Sequence, residues 1–83
     1  MGYRLFISFE VLAQMEKFKR SRKVTLLRQF ERIRDFPGNY SEFCEADETG
    51  RRVEVSIFDG LAIYYWIDEA DKDVKILKLM TAD

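Results

Sequence analysis

The sequence has 83 residues, of which 47% are hydrophobic and 14% aromatic; this is enough for one folded domain over residues 1–83 and argues against disorder. It has no apolar run near the roughly 20 residues of a membrane span and no secretory signal over residues 1–4, so we expect no membrane partner. The net charge is −1, but residues 1–34 carry +6 and residues 35–83 carry −7, which indicates either a surface facing a polyanion or helices solvated by cations.

The first half of the sequence predicts a strand and two helices. Apolar residues alternate with others over residues 3–9, and this period of two is typical of a strand. Ser8 is a suitable N-cap for a first helix over about residues 9–19, and Ser21 is a suitable N-cap for a second helix that runs to about Asp35. The predicted buried stripes are Val11, Leu12, Met15 and Phe18 in the first helix, and Val24, Leu27, Phe30 and Ile33 in the second.

The second helix is followed by a loop and a short strand. Pro37-Gly38 ends the helix and predicts a type II turn, because proline favours the first central position and glycine the second. We expect a strand from Ser41 to Asp47, anchored by Phe43, and then a turn at Glu48-Thr49-Gly50.

The last third of the sequence predicts a three-stranded meander. Alternation over residues 52–57 predicts a strand with Val53, Val55 and Ile57 on its dry face and Arg52, Glu54 and Ser56 on its wet face. Asp59-Gly60 predicts a hairpin turn in which both central residues have positive φ. Residues 61–67 are apolar throughout and predict a central strand, and residues 74–79 predict the last strand.

These elements follow the order β-α-α-β-β-β-β, which indicates an α+β domain. We expect the two N-terminal helices to pack on one face of a twisted antiparallel sheet. The first strand should pair within that sheet, beside the last strand or a central one.

Six segments carry a family resemblance by their order, spacing and total length. They are the opening strand with Tyr3 and Ile7, the Lys- and Arg-rich helical hairpin, Phe36-Pro37-Gly38, Gly50-Arg51-Arg52-Val53-Glu54-Val55, Ala62-Ile63-Tyr64-Tyr65-Trp66-Ile67-Asp68 and Val74-Lys75-Ile76-Leu77. Together they cover about Tyr3 to Leu79, and the chain resembles the small toxins of the RelE/ParE superfamily from bacterial toxin–antitoxin operons. Proteins of this kind are often labelled plasmid stabilisation proteins.

The resemblance implies a toxin-like component of a type II toxin–antitoxin system that is neutralised by a small cognate antitoxin. Ribosome-dependent members of the superfamily cleave mRNA without metal, using Arg and Lys side chains, whereas the ParE branch acts on DNA gyrase. The resemblance therefore leaves two targets open, namely the ribosome with its mRNA and gyrase, and it implies no cofactor and no metal.

The chain departs from the family pattern at the site. The family usually has an arginine at the start of the central strand, where this chain has Leu61 and Ala62, and this chain has no histidine. The resemblance leaves Arg51, Arg52 and Lys78 as candidate catalytic residues. A metal-independent endoribonuclease with an atypical site and a non-catalytic interaction module that has lost the site are therefore both alternatives.

Strand alternation places Arg51 and Arg52 on opposite faces, and it does the same for Lys75 and Lys78. A basic run in the helical hairpin predicts contact with nucleic-acid phosphates, or else a solvated surface. Its candidate binding residues are Lys19, Arg20, Arg22, Lys23, Arg28 and Arg32.

The single cysteine, the aromatic run and the acidic run are each explained without a catalytic or metal-binding role. Cys44 is the single cysteine and has no histidine to activate it, which predicts a reducing, cytoplasmic setting and no cysteine nucleophile. Residues 64–66 are aromatic and predict core positions, or alternatively a platform on which bases stack. The acidic run at Asp68, Glu69, Asp71 and Asp73 lacks the calcium-loop pattern and predicts a solvated turn.

Overall fold

The computed structural model describes residues 2–82, and within that range the chain forms two helices and five strands. No helix of this range is long and apolar enough to cross a membrane. The elements in chain order are β1 (Arg4–Ile7), α1 (Phe9–Met15), α2 (Arg20–Asp35), β2 (Phe43–Ala46), β3 (Arg52–Phe58), β4 (Leu61–Asp68) and β5 (Asp73–Thr81).

The strands form one sheet in the order β1-β5-β4-β3-β2. The α+β architecture is confirmed, and β1 lies beside the last strand, which was one of the two expected positions. The sheet is mixed rather than wholly antiparallel, because β1 runs parallel to β5, with Arg4 opposite Asp73. A parallel pair needs a long crossover, and here the chain between the two strands includes both helices and the rest of the sheet.

Both helices pack on the same side of the sheet, which we call the covered face. The two helices contribute Val11, Met15, Leu26, Phe30 and Ile33 to the core, and β4 and β5 contribute Leu61, Ile63, Tyr65, Val74, Ile76 and Leu79. Because side chains alternate along a strand, Ala62, Tyr64 and Trp66 of β4 point to the opposite side, which we call the open face.

The predicted stripe of α2 is wrong at two of its four positions. Phe30 and Ile33 are fully buried, but Val24 and Leu27 are 42% and 40% exposed. The buried side instead uses Leu26 and Gln29. These residues are three or four apart from Phe30 and Ile33, so they lie on the same side of the helix.

The helix ends also differ from the prediction. The Ser8 cap is confirmed, because the backbone N–H of Val11 donates to Ser8 Oγ over 3.3 Å. However, α1 ends at Met15 rather than near residue 19, and the N–H of Phe18 bonds to the Met15 carbonyl in a tighter turn. Ser21 is not the N-cap, because it lies inside α2, which begins at Arg20. Lys19 holds the N-cap position without a side-chain hydrogen bond.

The two turns predicted from glycine behave differently. Asp59 and Gly60 have φ of 52° and 75°, so the hairpin turn with two positive φ angles is confirmed. Gly38 does not have positive φ, so the type II turn at Pro37-Gly38 is wrong. The N–H of Asn39 still bonds to the Phe36 carbonyl over 3.0 Å, and this closes a turn of another type.

The wet and dry faces predicted for β3 are confirmed in part: Val53 and Val55 are buried and Arg52 is exposed, but Ile57 is 41% exposed and Glu54 and Ser56 are buried. Ser56 is opposite Ile63 and only 1% exposed, so the covered face receives the polar residues of this strand. Val55 lies on the open face between its cross-strand partners Phe43 and Tyr64, and these aromatic rings bury it without help from a helix. Phe43 is 48% exposed, so it is not the buried anchor that was predicted. β2 covers Phe43–Ala46, which is shorter than the predicted strand from Ser41 to Asp47.

Candidate functional site

A groove of about 630 Å³ lies beside the open face, between the beginning of α1, the β2–β3 turn and the middle of β4 and β5. Its lining residues come from α1, β2, the β2–β3 turn, β3, β4 and β5. They are Glu10, Glu45, Ala46, Asp47, Glu48, Arg51, Val53, Tyr64, Leu77 and Lys78. Two of the three candidate catalytic residues, Arg51 and Lys78, therefore share one groove.

Arg51 is held by the β2–β3 turn and by Trp66. Its Nε donates to Asp47 Oδ2 over 2.9 Å, and its backbone N–H donates to Asp47 Oδ1 over 2.9 Å. Its guanidinium carbon lies 4.6 Å from the centroid of the Trp66 ring, which is a cation–π contact. The positive charge of Arg51 is therefore paired within the chain.

Asp47 organises this turn. The hydroxyl and the backbone N–H of Thr49 both donate to Asp47 Oδ1, over 2.7 and 2.9 Å. The Thr49 hydroxyl, followed by the bonds from the backbone N–H groups and from Arg51, lowers the pKa of Asp47 to about 2. The carboxylate is therefore ionised under all ordinary conditions and fixes the position of Arg51.

Lys75 and Lys78 lie on the same face of the sheet, contrary to the prediction. A β-bulge at Leu77 shifts the pairing of β4 and β5, so that Tyr64 is opposite Lys78 and Trp66 is opposite Lys75. Each lysine lies over the ring of its partner, with Nζ 4.4 Å from the centroid of Tyr64 for Lys78 and 4.8 Å from that of Trp66 for Lys75. The open face thus carries three cations above two aromatic rings.

Arg52 lies apart from Arg51 and Lys78. It is on the covered side, as alternation predicts, and its Nε donates to Glu54 Oε2 over 2.7 Å. This bond raises the pKa of Arg52. The Ser41 hydroxyl donates to the other oxygen of Glu54 over 2.7 Å. Arg52 faces a separate groove of about 470 Å³ beside the 36–42 loop, so the three candidate cations do not converge.

The balance of charge in the main groove is negative. Four carboxylates and two cations line it. Asp47 is paired with Arg51, but no Lys or Arg side chain of residues 2–82 lies within 4.0 Å of Glu10, Glu45 or Glu48. A site that stabilises a phosphate dianion or phosphorane needs the opposite balance.

The candidate nucleic-acid residues are spread around α2 rather than gathered on one side. Lys23 and Arg32 are nine residues apart and so lie about 180° apart around the helix axis. Arg22 is engaged with the β3–β4 turn, where its Nη2 donates to the Asp59 carbonyl over 3.1 Å and its guanidinium stacks 4.7 Å from the Phe18 ring centroid. No carboxylate of residues 2–82 lies within 4.0 Å of the charged group of any other member of the set. These other members are Lys19, Arg20, Lys23, Arg28 and Arg32.

The acidic run after β4 is not a solvated turn throughout, as the sequence predicted, because Asp68 and Asp73 are buried. Oxygens of Asp68, Asp71 and Asp73 lie within 4.8 Å of one another. Arg4 Nε lies 2.8 Å from Asp73 and Lys75 Nζ lies 3.5 Å from Asp68, so cations of the chain already neutralise these two carboxylates. The arrangement is two separate ion pairs, each between a buried carboxylate and a cation that remains partly exposed.

The aromatic run divides between the two faces. Tyr65 is fully buried in the core and its hydroxyl donates to the Pro37 carbonyl over 3.1 Å. Burial, and then the charge of Glu54, raise the pKa of Tyr65 well above its ordinary value. Tyr64 and Trp66 lie half-buried on the open face, so the core prediction holds for one residue of the three.

Sequence reasoning missed three features of the groove. Glu10 belongs to α1 and is 68 residues from Lys78, and no local pattern signals that they face one groove. The bulge at Leu77 also left no signal, because the surrounding residues fit a regular strand. The third missed contact, that of Arg51 with Asp47, is local and could have been inferred from the carboxylate before a glycine-containing turn.

Known proteins match this chain in structure and not in sequence. No protein-family model matches the sequence, and no curated protein matches it. A chain of the toxin–antitoxin complex RelBE2 from Mycobacterium tuberculosis has a TM-score of 0.81 at 12% identity, over 98% of this chain and 99% of that chain.

Two further structures have the same fold. A chain of the archaeal RelE–RelB complex from Pyrococcus horikoshii OT3 has a TM-score of 0.79 at 20% identity, over 98% of this chain and 96% of that chain. The E. coli toxin RelE, as a doubly substituted mutant in the free state, has a TM-score of 0.73 at 14% identity, over 100% of this chain and 86% of that chain. The RelE-like fold that the resemblance implied is therefore confirmed.

Proposed function

We propose that this chain is the toxin-like component of a type II toxin–antitoxin system, and that a small cognate antitoxin binds and neutralises it. The observation that carries the proposal is the match in fold over nearly the full length of both chains to structures named as RelE toxins or toxin–antitoxin complexes. The ordered sequence resemblance over about Tyr3 to Leu79 supports it independently. The protein acts in the cytoplasm, on translation or on DNA gyrase.

Induced expression in a bacterial host tests the proposal. We expect growth arrest when the chain is expressed alone, and recovery when the adjacent short reading frame is expressed with it. A frame-shifted version of the same gene, which produces the RNA without the protein, is the control. Normal growth in cells that contain the folded protein would contradict the toxin function.

A metal-independent endoribonuclease is the second candidate, and one observation favours it. Arg51, Lys78 and Tyr64 line the same groove, with the Lys78 ammonium 4.4 Å from the Tyr64 ring centroid. A cation near an attacking 2′-hydroxyl can stabilise its charge, and a second can stabilise the phosphorane. The tyrosine or the lysine can transfer the proton.

Mapping of RNA ends in induced cells tests this second candidate. We expect cuts linked to codons with the parent chain, and cuts reduced by about 10²-fold with Lys78→Ala if the lysine touches the reacting atoms. Lys17→Ala, which removes an exposed cation outside both the groove and the candidate nucleic-acid-binding set, is the matched control. Growth arrest without RNA cuts would exclude the nuclease while leaving the toxin–antitoxin proposal intact, and a supercoiling assay with purified gyrase then tests the other target.

The non-catalytic interaction module is supported by the state of the candidate cations. Arg51 is paired with Asp47 and Arg52 with Glu54, and the family's usual arginine is absent at Leu61 and Ala62. Such a module requires a partner but no chemistry. Growth arrest that survives both Arg51→Ala and Lys78→Ala would favour it, or the gyrase-directed toxin, over the nuclease.

A further inference from the structure

The rim of the groove carries carboxylates that nothing in the described chain neutralises. Glu45 lies on β2, Glu48 in the β2–β3 turn and Glu10 at the beginning of α1, and all three are exposed. In contrast, the carboxylates of Asp47, Glu54, Asp68 and Asp73 each lie within 3.5 Å of an Arg or Lys nitrogen. The chain thus pairs its other sheet carboxylates and leaves those of the rim available.

The groove also offers apolar surface below that rim. Val53 of β3 and Tyr64 of β4 both line the groove from the open face, where Val55 is the residue directly opposite Tyr64, and the bulged Leu77 also lines it. The adjacent strand β2 is an edge strand whose four residues are all exposed, so its outer backbone groups are free to pair. A ligand of this groove therefore meets carboxylates at the rim and apolar side chains at the floor.

We propose that this groove binds a protein segment in which Lys or Arg side chains alternate with apolar ones. The cationic side chains pair with Glu10, Glu45 and Glu48, and the apolar side chains contact Tyr64 and Leu77, which line the groove and are only partly buried. The proposal rests on the proposed function only for its natural source, which is then a segment of the antitoxin. The binding chemistry itself follows from the charges and shape of the groove.

The charge of the groove disfavours two other occupants, a nucleic acid and a second copy of this chain. A nucleic acid brings phosphates toward three unpaired carboxylates, and the available cation in the groove is Lys78, since Arg51 is paired with Asp47. A second copy of this chain that paired antiparallel through the centre of β2 would bring the Glu45 carboxylates of the two copies close together. Like charges at such distances disfavour both complexes.

The test uses the full chain and its single tryptophan. Trp66 lies under Arg51, which lines the groove, so ligands of the groove should change its fluorescence. The probes are a short synthetic peptide in which lysine and leucine alternate, the equivalent peptide of glutamate and leucine, and a single-stranded RNA oligonucleotide. We expect binding of the lysine peptide alone, weakened by added salt.

Two matched pairs of substitutions locate the binding site. The double substitution Glu45→Gln and Glu48→Gln should weaken the binding of the lysine peptide by about three- to tenfold, as expected for the loss of two exposed ion pairs. Glu16→Gln with Glu31→Gln removes the same charge from exposed helix positions and should leave the affinity unchanged. Lys78→Gln should leave the affinity equal or raise it about twofold, because it removes a like charge.

Three results would overturn the proposal: equal weakening by both glutamine pairs, no binding of the lysine peptide, or RNA binding that Lys78→Gln abolishes. The outcome of the growth experiment is independent of the outcome of this binding experiment. If the chain binds the peptide at the groove but does not arrest growth, the toxin function is contradicted and the binding site is supported. If the chain arrests growth but does not bind the peptide, only the binding site is contradicted.

Discussion

The covered face and the open face of the sheet bury their residues in different ways. On the covered face, a layer of two helices encloses Phe30, Ile63 and Tyr65 completely. On the open face there is no second layer, and Val55 is buried only because Phe43 and Tyr64 flank it on the neighbouring strands.

The difference extends to charge. The covered face is apolar where the helices pack on β4 and β5, although β3 places Glu54 and Ser56 on that side. The open face instead places Arg51, Lys75 and Lys78 over aromatic rings, with carboxylates nearby. The covered face therefore determines the fold, since burial of apolar area is the main favourable term in folding. The open face determines which partners are attracted, since its charges are accessible to solvent.

The largest expected effect separates the two faces by stability. Phe30→Ala should lower the free energy of unfolding by about 3–5 kcal/mol, because it leaves a cavity in the covered core. Phe43→Ala removes the same ring from the open face, where it is half-exposed, and should cost less than about 1 kcal/mol. Urea denaturation followed by circular dichroism measures both, and similar losses would remove the distinction between the faces.

The next effect concerns two adjacent tyrosines that point to opposite faces. Tyr65→Phe should cost about 1–2 kcal/mol, because it leaves the Pro37 carbonyl without its buried donor. Tyr64→Phe should cost under about 0.5 kcal/mol, because the open face leaves that side chain half-exposed to water. Equal costs in urea denaturation would show that burial does not separate these two hydroxyl groups.

A third prediction concerns pH and the turn beside the open face. The pKa of Asp47 is lowered from 3.8 to about 2 in the folded chain. Its contribution to stability is therefore complete above about pH 4 and is lost as pH falls through about 2. The Tm of Asp47→Asn should lie below that of the parent at neutral pH, and the difference should shrink as pH falls from 4 to 2. A difference that is constant with pH would contradict this assignment.

The smallest effect concerns the cations above Trp66. Arg51→Ala and Lys75→Ala should each change the emission of Trp66 and cost under about 1 kcal/mol, the magnitude of an exposed cation–π contact. Lys78→Ala should leave the emission unchanged, because Lys78 stacks on Tyr64 instead. An emission change with Lys78→Ala as large as with Lys75→Ala would contradict the register set by the bulge at Leu77.

The parts of the fold that were predictable from the sequence depend on local signals. Asp59-Gly60 specifies its turn because glycine and aspartate tolerate positive φ, and the Ser8 hydroxyl caps the residues that follow it. The apolar run over residues 61–67 identified the central strand because such a run is typical of a strand with neighbours on both sides.

The parts that were not predictable depend on distant contacts. Val53 and Val55 alternate as a dry face should, but which face the helices cover is decided by the whole sheet. The site was less predictable still. The bulge at Leu77 brought Lys75 and Lys78 together, and Glu10 joined the groove from another element. Such placements follow from tertiary packing rather than from spacing along the chain.

The position of β5 has a consequence for synthesis of the protein. This strand is the last of the five in chain order, and it lies between β1 and β4, so the sheet cannot be completed before β5 has been synthesised. The pairing of Arg4 with Asp73 spans 69 residues, which gives the fold a high contact order and a slow loop closure. A nascent chain that lacks β5 therefore leaves β1 without its partner strand, and we expect it not to form the complete sheet.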